Sequence, residues 1–350
     1  MGLPSVQRIL QRYRSSRLDA FSEILNGVKL KGALFFNAEF SAPWSFASPR
    51  SDLLAPHLVP GAEHLIIYHF VIEGSAHAQV EGGNPLSLNA GDIVIFPHGD
   101  PHRMASSTRA QLMEAAAILP LLRTRNLGLM RTGGGGEVSR FVCGYMACEP
   151  HLFRPILSGL PHMMKVNIRA DGSGRWLENC IRHLVDEAGA GQPGSDAMLA
   201  KLSEALFVDT LRRYVATLPA EQTGWLAGTR DPVVGRSLAI LHSRADQPWT
   251  IAQLAKEVGL SRSALVERFS RYLSEPPMAY LTRWRLQLAA RSLMSTPRSV
   301  AQIAAEVGYE SEAAFNRAFK RAFGAPPARF RSERKLKPGG VTSSAASSGG

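Results

Sequence analysis

The 350-residue sequence contains little cysteine and no long apolar run. Cys143, Cys148 and Cys180 are odd in number and form no C-x-x-C pair, so neither a disulfide framework nor a paired-cysteine zinc or redox site is expected. The longest apolar region, at 115–122, is far shorter than the roughly 20 residues that cross a bilayer, and charges interrupt residues 1–20. We therefore expect a protein of the reducing cytoplasm with no membrane partner.

Acidic residues are too few to balance the basic ones, and the imbalance is local. The formal net charge of the chain is +11. Residues 231–337 alone hold 18 Lys and Arg against 9 Asp and Glu, a net charge of +9. A solvated basic surface would explain a dispersed excess, but concentration in one third of the chain favours a polyanion partner, most often nucleic acid.

Two patterns of apolar residues divide the rest of the chain. Residues 30–104 show short alternating runs separated by Gly, Pro and Asn, which is typical of β-hairpins in a small barrel or sandwich. After Pro161 the spacing becomes helical, with helices predicted at 175–187 and 195–216. The broad apolar face of the second helix packs either on its own barrel or on a second subunit, and the sequence leaves both open. Strands are predicted at 64–72, 76–80, 86–88 and 92–96.

The basic segment 231–337 contains an internal repeat. Residues 251–259 read IAQLAKEVG and residues 300–308 read VAQIAAEVG, so that six of nine positions are identical and two exchange only Ile, Leu and Val. The match continues downstream, where Phe269 corresponds to Phe319. Each copy predicts a short helix, a turn at a glycine and a second helix that begins at a serine cap. This is the pattern of a helix-turn-helix motif.

The second helix of each motif is predicted to meet DNA. Gly259 and Gly308 supply the left-handed turns, and Ser261 and Ser311 cap the helices that follow. The face opposite the buried stripe carries side chains suited to bases, since Arg binds guanine, Asn binds adenine and Glu accepts from cytosine. The predicted DNA-binding residues are Arg262, Ser263, Val266 and Glu267 in the first copy, and Glu312, Ala313, Asn316, Arg317 and Lys320 in the second.

A long helix is predicted at 277–294, between the two motifs. It would hold the two recognition helices so that they enter successive major grooves, about 34 Å apart, and read one long asymmetric site. Arg283 and Arg285 on this helix either contact phosphates or pack their aliphatic stems beside Trp284. The sequence does not decide between these two roles.

The repeat resembles the two motifs of the AraC/XylS family of transcription regulators. The resemblance is carried by WTIAQLAKEVGLSRSALVERF at 249–269 and by GYESEAAFNRAFKRAFGAPPARFR at 308–331, and it covers about 231–334. It implies double-stranded DNA as a partner. It also implies transcription activation, contact with RNA polymerase and a homodimer. Glu267 departs from the pattern, because the family commonly has a basic or neutral polar residue there.

The stretch GDIVIFPHGDPH, from Gly91 to His102, follows the second cupin motif. Residues 33–161 resemble the cupin-type ligand-binding domain that precedes the DNA-binding half in one branch of the same family. Cupin enzymes usually carry His-x-His and a Glu upstream of the glycine that corresponds to Gly74, but Ile67 stands at the Glu position. The metal site is therefore incomplete, and we expect no metal, no other cofactor and no enzymatic activity.

The candidate ligand pocket consists of Trp44, His69, Phe96 and His102. Strand alternation would turn His69 inward, toward His102 in the barrel lumen. Two histidines without a carboxylate are too few for a stable metal site, which generally uses three or four protein ligands. We expect them to form hydrogen bonds in a ligand pocket or in a packed core.

The predicted fold class is α+β. It comprises a cupin-like β-barrel at 1–160, a helical linker or dimerisation segment at 161–230, an all-α DNA-binding domain with two helix-turn-helix motifs at 231–337 and a disordered tail at 338–350. The expected function is sequence-specific regulation of transcription by a small-molecule effector that the barrel binds. The alternatives are a cupin-type metal-dependent enzyme fused to a DNA-binding domain, and a constitutive regulator whose barrel only dimerises.

Overall fold

The structure of the protein, a computed structural model, describes residues 19–27, 30–59, 62, 64–110, 129–148, 156–219 and 221–335. The apolar region 115–122 and the predicted tail after residue 337 lie outside these residues. The chain divides into two compact units, one at Ile24–Arg230 and one that begins at Asp231. The first is rich in strands and the second is helical, which confirms the α+β fold class. Among the described residues, no helix has the length and apolar character needed to span a membrane.

Two sheets form the first unit. Its described strands are β1 (Lys31–Ser41), β2 (Ser45–Ser48), β3 (His64–Glu73), β4 (Ser75–Val80), β5 (Leu86–Asn89), β6 (Asp92–Phe96), β7 (His102–Ala105), β8 (Met130–Gly133), β9 (Val138–Cys148) and β10 (Met164–Asn167). One sheet has the order β10-β6-β3-β9-β1-β8 and the other the order β2-β7-β4-β5. A single apolar core takes side chains from both sheets, as in a cupin-like barrel.

The four strands predicted from alternation correspond to β3, β4, β5 and β6, with ends that differ by at most one residue. The long strands β1 and β9 were not assigned from the sequence, although β9 pairs with both β1 and β3 at the centre of the larger sheet. The last eight residues of β9, 141–148, are all buried. A strand that is buried on both faces loses the polar-apolar alternation on which strand prediction depends.

The longest helix of the first unit packs against the larger sheet. Tyr68 of β3 donates from its hydroxyl to Ser203 Oγ at 2.9 Å, and Leu199, Phe207 and Leu211 on the same helix as Ser203 are buried. Most of the apolar face of this helix therefore packs on its own barrel, while Met198 on the same helix is 57% exposed. The helices are α1 (Ala20–Gly27), α2 (Ser51–Leu58), α3 (Gly172–Gly189), α4 (Ser195–Thr217, which carries Ser203) and α5 (Trp225–Arg230).

A buried carboxylate fastens α3 to the end of β3. Glu178 accepts hydrogen bonds from Arg169 at 2.6 Å and from Arg182 at 2.7 Å, and both guanidinium groups also donate to the carbonyl oxygen of Ile72 at 2.8 Å. Burial alone would raise the pKa of Glu178, but the two guanidinium groups outweigh it and lower the pKa. The charge of Glu178 is thus compensated within the protein.

The second unit contains the two predicted helix-turn-helix motifs. Thr250 and Ser299 each form a capping box at the first helix of a motif, and Gly259 and Gly308 have φ angles of +76° and +82° in the turns. The helices are α6 (Pro232–Ser243), α7 (Ile251–Val258), α8 (Arg262–Leu273), α9 (Pro277–Ser295), α10 (Val300–Glu306), α11 (Glu312–Phe323) and α12 (Pro327–Lys335).

Helix α9 serves the cores of both motifs. In its first half, the Tyr280 hydroxyl forms a hydrogen bond of 2.8 Å with Nε2 of His242 on α6. The ring of Tyr280 packs edge-on against Phe269 of α8. In its second half, Leu286 and Leu293 join Ile303, Phe315 and Phe319 of the second motif. The prediction of one continuous helix between the motifs is confirmed, with an end at Ser295.

Candidate DNA-binding surface and sensing core

Helix α8 turns the first set of predicted residues toward solvent. Leu265 and Phe269 are completely buried, and Ser261 caps the helix by accepting from the amide of Ala264 at 3.2 Å. Burial of this stripe leaves the other side of the helix free. Arg262, Ser263 and Glu267 are exposed there, and Val266 is half-buried.

Helix α11 repeats this arrangement in the second motif. Phe315 and Phe319 are completely buried, and Ser311 accepts from the amide of Ala314 at 3.4 Å. The structure thus places all nine predicted residues on the second helices of the two motifs, whereas their contact with bases stays a prediction. Glu312, Ala313, Arg317 and Lys320 are exposed, and Asn316 is half-buried.

Arg268 positions helix α8 and was not singled out from the sequence. Its guanidinium binds the Asp231 carboxylate through bonds of 2.8 to 3.1 Å. Asp231 also caps α6 by accepting from the amides of Val233 and Val234. Burial alone would raise the pKa of Asp231, but the hydrogen bonds from Arg268 and the two amides outweigh burial, so the pKa is lowered. The Asp-Pro pair at 231–232 is a helix-start signal in the sequence, yet its partner 37 residues away is not visible there.

Arg283 and Arg285 have partners within the protein. Arg283 is paired with Glu275 and lies over the ring of Tyr280, 4.9 Å from its centroid. Arg285 donates from Nε to the carbonyl of Ala245 at 2.7 Å and from Nη2 to that of Gln247 at 2.6 Å. Both guanidinium groups bind protein partners, so the structure favours packing over phosphate contact.

In the first unit the two predicted histidines meet in the barrel lumen. His69 Nε2 lies 2.8 Å from His102 Nε2, and His69 Nδ1 lies 2.7 Å from the Sγ atom of Cys143. His102 Nδ1 lies 2.9 Å from the carbonyl oxygen of Asp100. Cys143 was not predicted as part of this site, because residues on β9 could not be aligned with β3 from the sequence.

The backbone carbonyl of Asp100, at one end of this series of hydrogen bonds, determines the direction of each of them. A carbonyl oxygen only accepts, so His102 must donate from Nδ1 to Asp100 and accept at Nε2. His69 then donates from Nε2 and accepts at Nδ1, which leaves the Cys143 thiol as the donor at the other end. All three side chains are neutral in this arrangement.

The pKa values agree with neutral groups. Burial lowers the pKa of His102 to about 4, against the opposing effect of the Asp100 carbonyl. Burial and the neighbouring His102 hold the pKa of His69 well below its usual range. Burial raises the pKa of the Cys143 thiol. The hydrogen-bond chain therefore stays uncharged at neutral pH.

Trp44 and Phe96, the other predicted pocket residues, are packed in the same lumen. Phe96 stacks on His102 with ring centroids 3.6 Å apart, and Trp44 stacks on Phe40 at 4.8 Å and meets Phe141 edge-on at 5.3 Å. The indole nitrogen of Trp44 is buried and, among the described residues, has no hydrogen-bond acceptor. The structure brings the four predicted residues together, and their role in binding a ligand stays a prediction.

The described residues contain no group of three or more His, Cys, Asp or Glu side chains arranged to hold a metal ion. The geometry of the lumen gives the reason. His69 uses its two ring nitrogens in opposite directions, toward Cys143 and toward His102. The three side chains therefore form a line and do not converge on one point, as metal coordination requires.

A cleft of about 370 Å³ lies at one end of the barrel, where β3 ends and β9 begins. It contains two carboxylates that were not singled out from the sequence, and none of the four predicted pocket residues lines it. The lining residues are Ala42, Glu73, Gly74, Ser75, Ser106, Glu137, Val138 and Ser139.

Both units match known protein families. A cupin family model matches residues 19–216, and a helix-turn-helix domain model matches residues 254–333. The chain is 30% identical over 318 residues to a putative AraC-like transcription regulator of Streptomyces lividans, which covers 90% of this chain and 98% of that protein. It is 28% identical over 320 residues to the HTH-type transcriptional regulator AlkR of Acinetobacter baylyi, with 90% and 100% covered.

Among solved structures, the DNA-binding domain of AdpA in complex with a target DNA matches at 28% identity and a TM-score of 0.29, covering 31% of this chain and 99% of that one. The two sequence relatives extend across both units and are named as transcription regulators. They support the expected regulator and give no support to the enzyme alternative.

The buried His102 predicts that stability depends on pH. The unfolded chain binds a proton on this residue at about pH 6.5, whereas the folded protein binds it only at about pH 4. The lowered pKa of His102 therefore contributes about 3 kcal/mol to the free energy of unfolding. This contribution is present in full above pH 6.5 and decreases as the pH falls toward 4.

Urea unfolding of the wild type and of His102→Gln between pH 7.5 and pH 4 measures this effect. The variant loses the proton-binding group, so its free energy of unfolding should change less steeply below pH 6.5, whatever its stability at pH 7.5. Equal slopes for the two proteins would contradict the assignment.

Proposed function

Since the chain belongs to the AraC-like family of DNA-binding transcription regulators and carries a cupin domain before its helix-turn-helix domain, we propose that it reads one long, asymmetric DNA site with both motifs. Helices α8 and α11 insert into successive major grooves of the site. A small-molecule effector bound by the cupin domain controls this binding. The effector acts by binding two arrangements of the protein with unequal affinity.

One observation carries the DNA-reading part of the proposal. Each motif buries an aromatic or aliphatic stripe completely and presents the opposite face of its second helix to solvent. On α11 that face combines Asn316 and Arg317, the residue types that bind adenine and guanine edges with two hydrogen bonds each. The net charge of +9 on residues 231–337 supplies the attraction to phosphates.

Replacement of Arg317 by alanine tests this reading. A lost bidentate contact with guanine should weaken binding to the preferred duplex by about 1 to 3 kcal/mol and reduce discrimination against a changed base at one position. Titration of labelled duplex at fixed salt measures both effects. Lys201→Ala on α4 removes the same charge from an exposed site in the other unit and should leave affinity unchanged. Wild-type affinity in Arg317→Ala would exclude Arg317 as a base-reading residue.

The lumen of the barrel supports the effector part of the proposal. Trp44 has a buried indole N–H without an acceptor among the described residues, and an unpaired buried donor costs stability until a partner arrives. The surrounding side chains are apolar, and the rings of Phe40, Phe46 and Phe141 pack against the indole. These features fit a small molecule that has an apolar body and one hydrogen-bond acceptor.

Thermal unfolding of the wild type against a panel of metabolites tests the effector. A ligand at 100 times its dissociation constant should add about 2.7 kcal/mol of stability. Trp44→Phe keeps an aromatic ring but removes the N–H, so the same compound should stabilise this variant less. Failure of every compound to stabilise the wild type would favour the constitutive alternative.

The family relationship supports four further parts of the proposal. The protein activates transcription, contacts RNA polymerase and acts in the cytoplasm, where the DNA is. It does so as a homodimer. Since most of the apolar face of α4 packs on the barrel, we place the dimer contact on another surface.

The outer face of α3 fits a second copy of the chain. Trp176 on this face is 62% exposed, and tryptophan is enriched at protein–protein interfaces relative to the rest of the surface. Two copies that pair antiparallel about a two-fold axis would place the two Trp176 side chains together.

Sedimentation of Trp176→Glu tests this surface. The wild type should sediment as a dimer and the variant as a monomer, because a charge replaces the centre of an apolar contact. Leu53→Glu is the matched control, since Leu53 is also a large exposed apolar residue, 64% exposed, on α2. A Trp176→Glu protein that still dimerises would exclude the α3 face.

A further inference from the structure

The two equivalent glycines of the repeat have different surroundings. Gly259 and Gly308 both turn the chain with positive φ angles. A Cβ atom added to Gly259 would meet nothing within 4 Å, but one added to Gly308 would lie 2.5 Å from the carbonyl oxygen of Asp246 and 2.8 Å from the guanidinium of Arg285. The turn of the second motif therefore packs directly against the loop between α6 and α7, which belongs to the first motif.

Arg285, on helix α9, lies against both the α6–α7 loop and the Gly308 turn. Its guanidinium donates to the carbonyl oxygens of Ala245 and Gln247 in the α6–α7 loop, and its outer nitrogen lies where a Gly308 side chain would be. Arg331, on α12, gives a contrast. It binds the carbonyl oxygens of Leu293 and Arg298 and stays within the second motif.

The contacts of Arg285 create a second connection between the motifs. The first connection is α9 itself, and a single helix bends and twists along its length. A guanidinium that bonds to the α6–α7 loop and packs against the Gly308 turn restrains that motion away from the helix axis. The guanidinium suits this task, since its rigid set of donors bonds to several carbonyl groups at once.

We propose that Arg285 is a positioning residue that sets the spacing between the two DNA blocks the protein recognises. It touches neither base nor phosphate, and acts by fixing the second motif relative to the first. One added base pair moves a block by about 3.4 Å and rotates it by about 34 to 36°. A protein with a fixed junction rejects such a change, and one with a loose junction tolerates it. The inference rests on the proposed two-block site.

The test uses full-length protein and duplexes obtained by selection from random DNA with the wild type. Affinity is measured for the selected duplex, for duplexes with one base pair added or removed between the blocks, and for duplexes in which one block is scrambled. The wild type should lose at least tenfold in affinity when the spacing changes. If the wild type shows no such loss, the proposal that the protein recognises two DNA blocks is itself wrong, whatever the variants show.

Arg285→Met keeps the aliphatic stem but removes the donors. It should bind the selected duplex about tenfold more weakly than the wild type and should discriminate among spacings by no more than about twofold. Affinity for single-block duplexes should stay within about twofold, which shows that each motif remains folded. Arg283→Met is the matched control, because Arg283 is paired with Glu275 and does not join the motifs.

The two glycines provide a second test that does not remove a charge. Gly308→Ala and Gly259→Ala introduce the same methyl group at similar φ angles, but only the first places it in the junction. Gly308→Ala should lose spacing discrimination, and Gly259→Ala should keep it. Wild-type spacing discrimination in both Arg285→Met and Gly308→Ala would overturn the assignment. Equal loss in the two glycine variants, or in Arg283→Met, would also overturn it.

Discussion

The DNA-binding unit depends on the burial of helix α9 along its whole length. Tyr280 and Trp284 in its first half pack with His242 of α6, while Leu286, Ala289 and Leu293 in its second half belong to the core of the second motif. Neither motif has a complete core without its half of α9. Because the two halves are one continuous helix, the motifs that read DNA are joined by the same burial that stabilises them.

A neutral hydrogen-bond chain and aromatic rings line the lumen of the cupin unit. The thiol of Cys143, the imidazoles of His69 and His102 and the carbonyl of Asp100 satisfy one another in sequence, which makes their burial tolerable. The aromatic side chains around them complete the core. Among the described residues, the lumen presents no convergent set of ligands for a metal and no acceptor for the Trp44 N–H. A buried donor of this kind suits recognition of an acceptor group.

The local parts of the fold followed from the sequence, and the long-range contacts did not. Caps such as Ser261 and glycine turns such as Gly259 act within a few residues, so the repeat specified both motifs and the solvent-facing sides of their second helices. The partner of Arg268 lies 37 residues away, and Cys143 reaches His69 only through the pairing of β9 with β3. The role of Arg285 likewise depends on how a loop of one motif meets a turn of the other.

Selection of random duplex DNA by the full-length protein, repeated at several salt concentrations, tests the central claim most directly. Recovery of one long site with two blocks about one helical turn apart, and an affinity that falls steeply with salt, is the result that a two-motif reader with a fixed junction predicts. Enrichment of a single short block, or of no sequence at all, would contradict it.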